Sequence, residues 1–396
     1  MSRNLSEWLA YIESTHPQSI ELGLERLLTV AQHLQLTEFE APVVTVTGTN
    51  GKGSTVAVIE ALALSQGLST AVYTSPHLIQ FNERLRLSGQ MVDDASLCSA
   101  FEQIESARGD IELTYFEYST LAALWVIKRQ QPDIIVLEVG LGGRLDAVNI
   151  VENTVAVITS VALDHESWLG NDLRSIAREK AGIARAGKTV IIGEEETFNL
   201  AQEFLPDVGK LVSAWKVAEP IEGWQLVEDK VAQTIHPTSL RCGYMAMVEL
   251  GLVSLPADGL LKALDSLHLP GRWQLLQPQV WADVAHNPQA ILNLRCKMEQ
   301  QTGIKQWYAV CGMLQDKKAA ESLTPLKGLI SQWYFASIDG ERGQSAHALQ
   351  QCVGLSEGVC SDSAKDALTS ALAAKTSSTT GIIVFGSFLV VADVLN

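Results

Sequence analysis

The sequence predicts an α/β protein, with a P-loop N-terminal domain built on a mainly parallel sheet and a smaller Rossmann-like C-terminal α/β domain. Three observations predict it. A β-branched run at residues 42–47 opens on the glycine-rich turn V-T-G-T-N-G-K-G-S-T (46–55) and then on an apolar-periodic helix that ends before Gly67. Short apolar strands alternate with helices along the rest of the chain, the pattern of βαβ units. L-P-G-R-W at 269–273 breaks one helical series, and the alternation restarts beyond Pro278. The expected organisation is an ATP-binding domain at 1–270, a hinge at 271–278 and a second domain at 279–396, and the 396 residues suffice for two domains of ordinary size.

The turn at 46–55 is a phosphate cradle. Its glycines let backbone N–H groups close on anionic oxygens, the following helix offers its positive end, and Lys52 brings a charge to the terminal phosphates. Its spelling departs from G-x-x-x-x-G-K-[ST], because Val46 replaces the first glycine and Gly53 separates Lys52 from Ser54.

Composition sets the class. Hydrophobic residues at 47% and charged residues at 19% describe a globular chain with a large core. A net charge of −16 argues against a nucleic-acid surface. No apolar run is long enough to span a bilayer and the first ten residues lack a signal-peptide pattern, so no membrane association and a cytoplasmic location are expected. The six cysteines show neither C-x-x-C nor zinc spacing and are expected as free thiols.

In chain order, residues 1–40 read as helical. A strand at 70–73 ends in T-S-P-H, placing Ser75 beside the phosphate loop as a metal or phosphate contact. After a polar stretch at 82–89, helices are expected near 94–108 and from T-Y-F-E-Y (114–118) to 129. A buried strand at 134–139 carries Glu138 into the turn G-L-G-G-R, and a carboxylate there calls for a cation, with Mg²⁺ the natural partner. The next strand, 154–161, leads to A-L-D-H-E and His165, and a helix over 172–186 carries Lys180. A strand follows at 189–193, the pattern weakens over 194–240, and helices resume at 243–252 and 258–267. In the second domain strands are expected at 280–284, 307–311, 333–337 and 381–385, and helices at 288–301, 346–352, 364–374 and 388–395. D-V-A-H-N-P (283–288) ends its first strand, and no G-x-G-x-x-G follows any strand, so no dinucleotide site is indicated.

Taken together, V-T-G-T-N-G-K-G-S, T-S-P-H-L, Y-F-E-Y, L-E-V-G-L-G-G-R-L-D-A, S-V-A-L-D-H, R-E-K-A-G-I, L-P-G-R-W and D-V-A-H-N-P resemble the folylpolyglutamate synthases, in particular the bifunctional bacterial form that is also dihydrofolate synthase. The resemblance runs from Leu22 to the C-terminus and extends to the Mur ligases. It implies an ATP-dependent amide ligase that activates a pteroate or folate carboxylate as an acyl phosphate for attack by L-glutamate. Dihydropteroate, tetrahydrofolates, L-glutamate and ATP are the implied small-molecule partners, and a monomer is expected. By position, Gly48, Thr49, Asn50, Gly51, Lys52, Gly53 and Ser54 match the ATP-phosphate loop, and Arg272 and Asp283 match ATP contacts from the hinge and second domain. Ser75, Glu138 and His165 match magnesium ligands, two ions being implied, with K⁺ a further candidate. Lys180 matches an N6-carboxylysine, and His286 a position on the glutamate side. Leu22, Gly23, Leu24, Glu25, Thr114, Tyr115, Phe116, Glu117, Leu145, Asp146 and Ala147 match the dihydropteroate pocket, where Phe116 can stack on a pterin and Asp146 can accept its N–H groups. Lys52, Lys180 and His286 are the implied catalytic residues.

Three positions depart from the family pattern. D-A-T-N reads Asp146, Ala147, Val148, Asn149; D-K-D reads Asp316, Lys317, Lys318; and the adenine-contacting asparagine aligns with Cys242, followed by Gly243. Two other readings carry different expectations: a folylpolyglutamate synthase that does not use dihydropteroate, and a nucleotide-binding regulatory protein that keeps the fold without ligase activity.

Overall fold

The computed structural model describes residues 3–15, 21, 23–217, 221–265, 267, 269–355 and 357–396. The chain divides into two compact units, one of residues 1–162 and 169–267, the other of 163–168 and 268–396.

In the first unit the strands are β1 (Val43–Thr47), β2 (Thr70–Tyr73), β3 (Leu85–Leu87), β4 (Gln90–Met91), β5 (Ile134–Glu138), β6 (Val155–Ile158), β7 (Thr189–Ile192) and β8 (Lys210–Ser213). They form one sheet in the order β4-β3-β2-β5-β1-β6-β7-β8, in which β3 runs antiparallel to both its neighbours and the other pairings are parallel. Strands β1, β2, β5 and β6 are buried at every residue, which is why they read as unbroken apolar runs instead of alternating. Because β1 lies between β5 and β6, the crevice at its C-terminal end is where a doubly wound sheet binds ligands.

The polar stretch at 82–89 has regular structure. It holds a 3₁₀ turn, Phe81–Arg84, and most of the β3–β4 hairpin, whose turn residues Ser88 and Gly89 both have positive φ, 47° and 79°. The helix expected at 243–252 instead spans Pro237–Glu249, with the His236 ring accepting from the Thr238 N–H and Pro237 in the first turn. The helix expected to reach 186 stops at Ala181. The N-terminal helices are Leu5–Ser14 and Glu25–His33; the candidate Leu22 lies outside the described residues.

The second unit contains β9 (Gln274–Gln277), β10 (Val280–Asp283), β11 (Gln306–Cys311), β12 (Ile330–Ala336), β13 (Val359–Ser361) and β14 (Thr380–Phe385), in the order β13-β12-β11-β14-β10-β9. All neighbours are parallel except β9, which pairs antiparallel with β10. Residues 274–277, placed in the hinge by sequence, are therefore an edge strand of this sheet. Trp273, Trp281 and Trp307 pack together over it, the first two stacked at 5.5 Å.

Candidate functional site

The phosphate loop is braced by the residues just beyond β6. The Thr49 N–H donates to Ser160 O (2.9 Å), the Asn50 N–H donates to Ser160 Oγ (3.0 Å), and Thr49 Oγ1 both donates to Ala162 O (3.1 Å) and accepts from the Ala162 N–H (3.0 Å). Thr159 Oγ1 lies 2.6 Å from Asn50 O. The strand expected to run to Val161 therefore ends at Ile158, and the residues after it are spent on holding the loop. The helix begins at Lys52, and its first turn, whose N–H groups have no intrahelical acceptors, carries no acidic side chain. Lys52 Nζ donates back to Gly48 O (2.9 Å) and Thr49 O (3.3 Å), which keeps its charge over the loop.

Ser239 was not found by sequence. Its hydroxyl donates to Gly51 O at 3.3 Å, and a Cβ on Gly51, whose φ is +88°, would stand 2.8 Å from that oxygen. Cys242, aligned with an adenine contact, faces inward instead: it is fully buried, its sulfur lies 3.0 Å from where a Gly193 Cβ would be, and burial with Glu194 nearby pushes its thiol up.

Glu138 ends β5, 6% exposed, and accepts the Ser75 N–H at 3.4 Å. Ser75 Oγ is buried with no hydrogen-bond partner. A Cβ on Gly53 would sit 3.8 Å from both Glu138 oxygens, so the absent side chain leaves a cradle between helix and carboxylate. Two hard oxygen donors in such a cradle fit Mg²⁺. Among the described residues no three His, Cys, Asp or Glu side chains gather as a metal cluster. His165 belongs to the other unit. Behind Ser75, Glu83 accepts the N–H groups of Leu78, Ile79 and Gln80 at 2.7, 2.8 and 2.7 Å, and Arg84 Nε donates to His77 Nδ1 at 2.9 Å. Burial and the Arg84 charge push His77 down, so it stays neutral and accepting.

The turn after β5 joins this cradle to an aromatic wall. A Cβ on Gly140 would lie 2.6 Å from the Phe116 ring, so the ring packs directly against the glycine, and Phe116 is half-buried. Asp146 accepts from Leu141 N–H (2.7 Å) and Val148 N–H (3.1 Å), with Leu145 and Ala147 beside it. Burial pushes its carboxyl up to about 7, against those N–H groups, that of Gly140, and the Lys52 charge. The fold thus favours the protonated form; the stability this contributes is complete below the ordinary value of 3.8 and is lost as pH rises through about 7. Urea melts should show the wild-type protein losing stability between about pH 4 and about pH 7, and Asp146→Asn, which cannot titrate, should flatten that slope.

Glu117, matched by the resemblance to the dihydropteroate pocket, also has a structural role. It closes a capping box with Thr114, accepting the Thr114 N–H at 2.8 Å, and both its oxygens accept from Arg26 Nε at 3.1 and 3.2 Å. The T-x-x-E spacing was the signal for this role. It ties the helix Glu25–His33, with Gly23 and Leu24 at its entry, to the helix Tyr115–Gln130. Arg26→Ala should therefore leave a buried carboxylate short of its cation, lowering stability by about 2 kcal/mol and raising KM for the pterin more than it lowers kcat, measured by melts and by initial rates.

Lys180 is 3% exposed, near the end of its helix, and its Cα would lie 3.2 Å from a Cβ on Gly143, against the same turn. In the second unit Asp283 is also a brace: it accepts the Trp273 N–H (2.9 Å) and the Ala285 N–H (3.0 Å), fixing L-P-G-R-W to the start of D-V-A-H-N-P. The Arg272 guanidinium lies 5.1 Å over the Phe388 ring, and His286 Nδ1 is 2.8 Å from Val284 O.

Residues 46–207 match the family described as Mur ligase middle domain, and 271–388 match the Mur ligase glutamate ligase domain. The dihydrofolate synthase/folylpolyglutamate synthase of Escherichia coli K12 is 40% identical over 99% of this chain and 94% of its own. The chain belongs to this family. It is accordingly an ATP-dependent ligase. The structure of E. coli FolC in complex with DHPP and ADP superposes with a TM-score of 0.88 at 38% identity, covering 100% of this chain and 97% of that one. A bifunctional folylpolyglutamate synthase/dihydrofolate synthase with Mn, AMPPNP and L-glutamate bound gives 0.86 at 37% identity, covering 100% and 98%. The folylpolyglutamate synthase of Lacticaseibacillus casei is 29% identical over 93% of each chain. Family membership agrees with the α/β expectation in both units. Within the first unit, the phosphate loop, Ser75, Glu138, Phe116, Asp146 and Lys180 all lie on or beside the loops at the C-terminal ends of β1, β2, β5 and β6.

Proposed function

We propose that this enzyme joins L-glutamate to dihydropteroate, giving dihydrofolate, and to tetrahydrofolates, giving polyglutamates, each through an acyl phosphate. The observation that carries this reading is the continuity, within one unit, from the Lys52 loop through the Ser75–Glu138 cradle to the Phe116–Gly140–Asp146 wall. A carboxylate is a poor electrophile until one oxygen becomes phosphate, and the phosphoryl group in transit needs cations on its oxygens. The loop N–H groups and Lys52 hold the phosphates, Phe116 offers a face to the pterin, and the carboxylate end of the substrate is thereby directed to the terminal phosphate. Mg²⁺, with Ser75, Glu138 and His165 as its proposed ligands, supplies charge neutralisation at the phosphates when bound.

Lys180 is proposed to act as its N6-carboxylated form, since a lysine buried against the Glu138 turn gains from becoming an anion that can face a cation. Arg272 and Asp283 are proposed ATP contacts and His286 a glutamate-side residue. Two metal ions, K⁺ dependence, a monomeric state and a cytoplasmic location complete the proposal.

The test is product identification by mass after incubation with ATP, Mg²⁺ and L-glutamate, with dihydropteroate in one tube and a tetrahydrofolate in the other. One added glutamate in both is expected. Addition to the tetrahydrofolate alone would leave a polyglutamylating enzyme, and no product with no ADP would leave a nucleotide-binding protein without ligase chemistry.

A further inference from the structure

Residues 163–168 group with the second unit, although the chain on either side of them belongs to the first. What holds them there is a pair of adjacent lysines. Lys317 Nζ meets Asp164 Oδ1 at 2.5 Å, with the two side chains only 6% and 7% exposed. Lys318 Nζ meets Glu166 Oε1 at 2.6 Å, with 48% and 25% exposure. The residue between the two acids is His165. Its φ is +53°, a left-handed conformation that a non-glycine residue adopts at a cost and keeps only when its surroundings impose it.

Asp164 is further engaged on every side. Asn287 Nδ2 donates to Oδ2 at 3.1 Å, His286 Nε2 stands 3.4 Å from the same oxygen, and the His165 N–H donates to Oδ1 at 2.8 Å. Burial pushes this carboxyl up, but His286, Lys317 and His165 outweigh it and hold it well below the usual range. Lys317 and Lys318 are themselves fixed. The Lys317 N–H donates to Leu314 O (3.1 Å), and the carbonyls of Lys317 and Lys318 accept from Ala319 (2.8 Å) and Ser322 (2.9 Å). Asp316, just before them, is tied to Arg342 at 2.7 Å. The departure from D-K-D at Lys318 therefore has a partner: a lysine at this position meets the acid that follows His165.

We infer that Lys317 and Lys318 form a two-point clasp on Asp164 and Glu166 that sets the backbone, and so the imidazole direction, of His165. The lysines are positioning residues, acting through His165, and the inference rests on the proposed reading of His165 as a metal ligand. A ligand held in one direction before the metal arrives loses less freedom on binding, so loosening the clasp weakens metal affinity before it alters the pterin pocket.

The experiment uses the full-length protein with saturating ADP and titrates Mn²⁺, reading free Mn²⁺ by electron paramagnetic resonance, alongside KM for dihydropteroate and thermal melts. Lys318→Ala and Glu166→Gln, at partly exposed positions, should fold normally and bind Mn²⁺ about tenfold more weakly, with KM for dihydropteroate within about twofold of wild type. The exchange Glu166→Lys with Lys318→Glu should recover most of the affinity. Lys317→Met, at the buried pair, should weaken Mn²⁺ binding further if it folds; the partly exposed variants keep the test decisive if it does not. Unchanged Mn²⁺ affinity in Lys318→Ala and Glu166→Gln, or an exchange that recovers nothing, would overturn the clasp. Absence of Mn²⁺ binding in the wild-type protein would instead overturn the metal reading on which the clasp depends.

Discussion

Lys52→Ala protein is expected to fold normally and to turn over about a thousandfold more slowly than wild type. The side chain is half-buried, and its ammonium is held by the carbonyls of Gly48 and Thr49 at 2.9 and 3.3 Å, so its loss frees two acceptors on a loop otherwise braced by Ser160 and Ala162. Stability should barely respond. Chemistry should respond strongly, because the lysine's charge is wanted most when negative charge spreads over the phosphoryl oxygens in flight. ADP release under saturating substrates, paired with a thermal melt, separates the two. Turnover within about tenfold of wild type would remove Lys52 from the phosphate site.

Gly48→Ala should do the opposite, damaging fold and function together. Gly48 has φ +156°, and a Cβ there would stand 1.8 Å from Thr159 Oγ1 and 3.1 Å from the Ser160 N atom. Thr159 cannot simply rotate away, since its hydroxyl lies 2.6 Å from Asn50 O and 3.2 Å from Thr47 O. The loop must move off the residues that brace it. A cost of about 3 kcal/mol, a melting temperature lower by roughly 10 °C and loss of measurable ATP binding are expected. Calorimetric titration with a non-hydrolysable ATP analogue checks the last, and a variant that melts and binds like wild type would mean the loop has a freedom this packing denies it.

The elements legible in the sequence are those whose signal is local. The strands β2 and β11 and the helices Asp94–Arg108, Ala364–Ala374 and Phe388–Leu395 come within a residue of expectation, because caps, apolar runs and breakers lie inside each segment. Glu138 was legible for the same reason, as an acid at the end of an apolar run. What escaped was set at long range. Nothing near Ser239 announces that its hydroxyl meets Gly51, 188 positions away, and nothing near Lys317 names Asp164, 153 positions away. The structural roles of Glu117 and Asp283, which the resemblance matches to substrate and ATP contacts, were not legible either. Both are used by the fold to accept N–H groups, and only the capping spacing at Thr114 hinted at it. The Ser88–Gly89 turn and the edge strand β9 were missed because short, polar edge strands carry little alternation to detect.

The burial of two thiols gives this enzyme a pair of internal reporters. Cys242 is inaccessible in the first unit and Cys311 in the second, and burial pushes both thiols up, so neither forms the thiolate that alkylating reagents attack. Cys296 and Cys352 are exposed and will be modified at once. With those two consumed, the label that later accumulates at Cys242 or at Cys311 dates the opening of its own unit. Peptide mass mapping of a timed alkylation series in denaturant would then resolve whether the two units unfold together or in succession, without a single substitution.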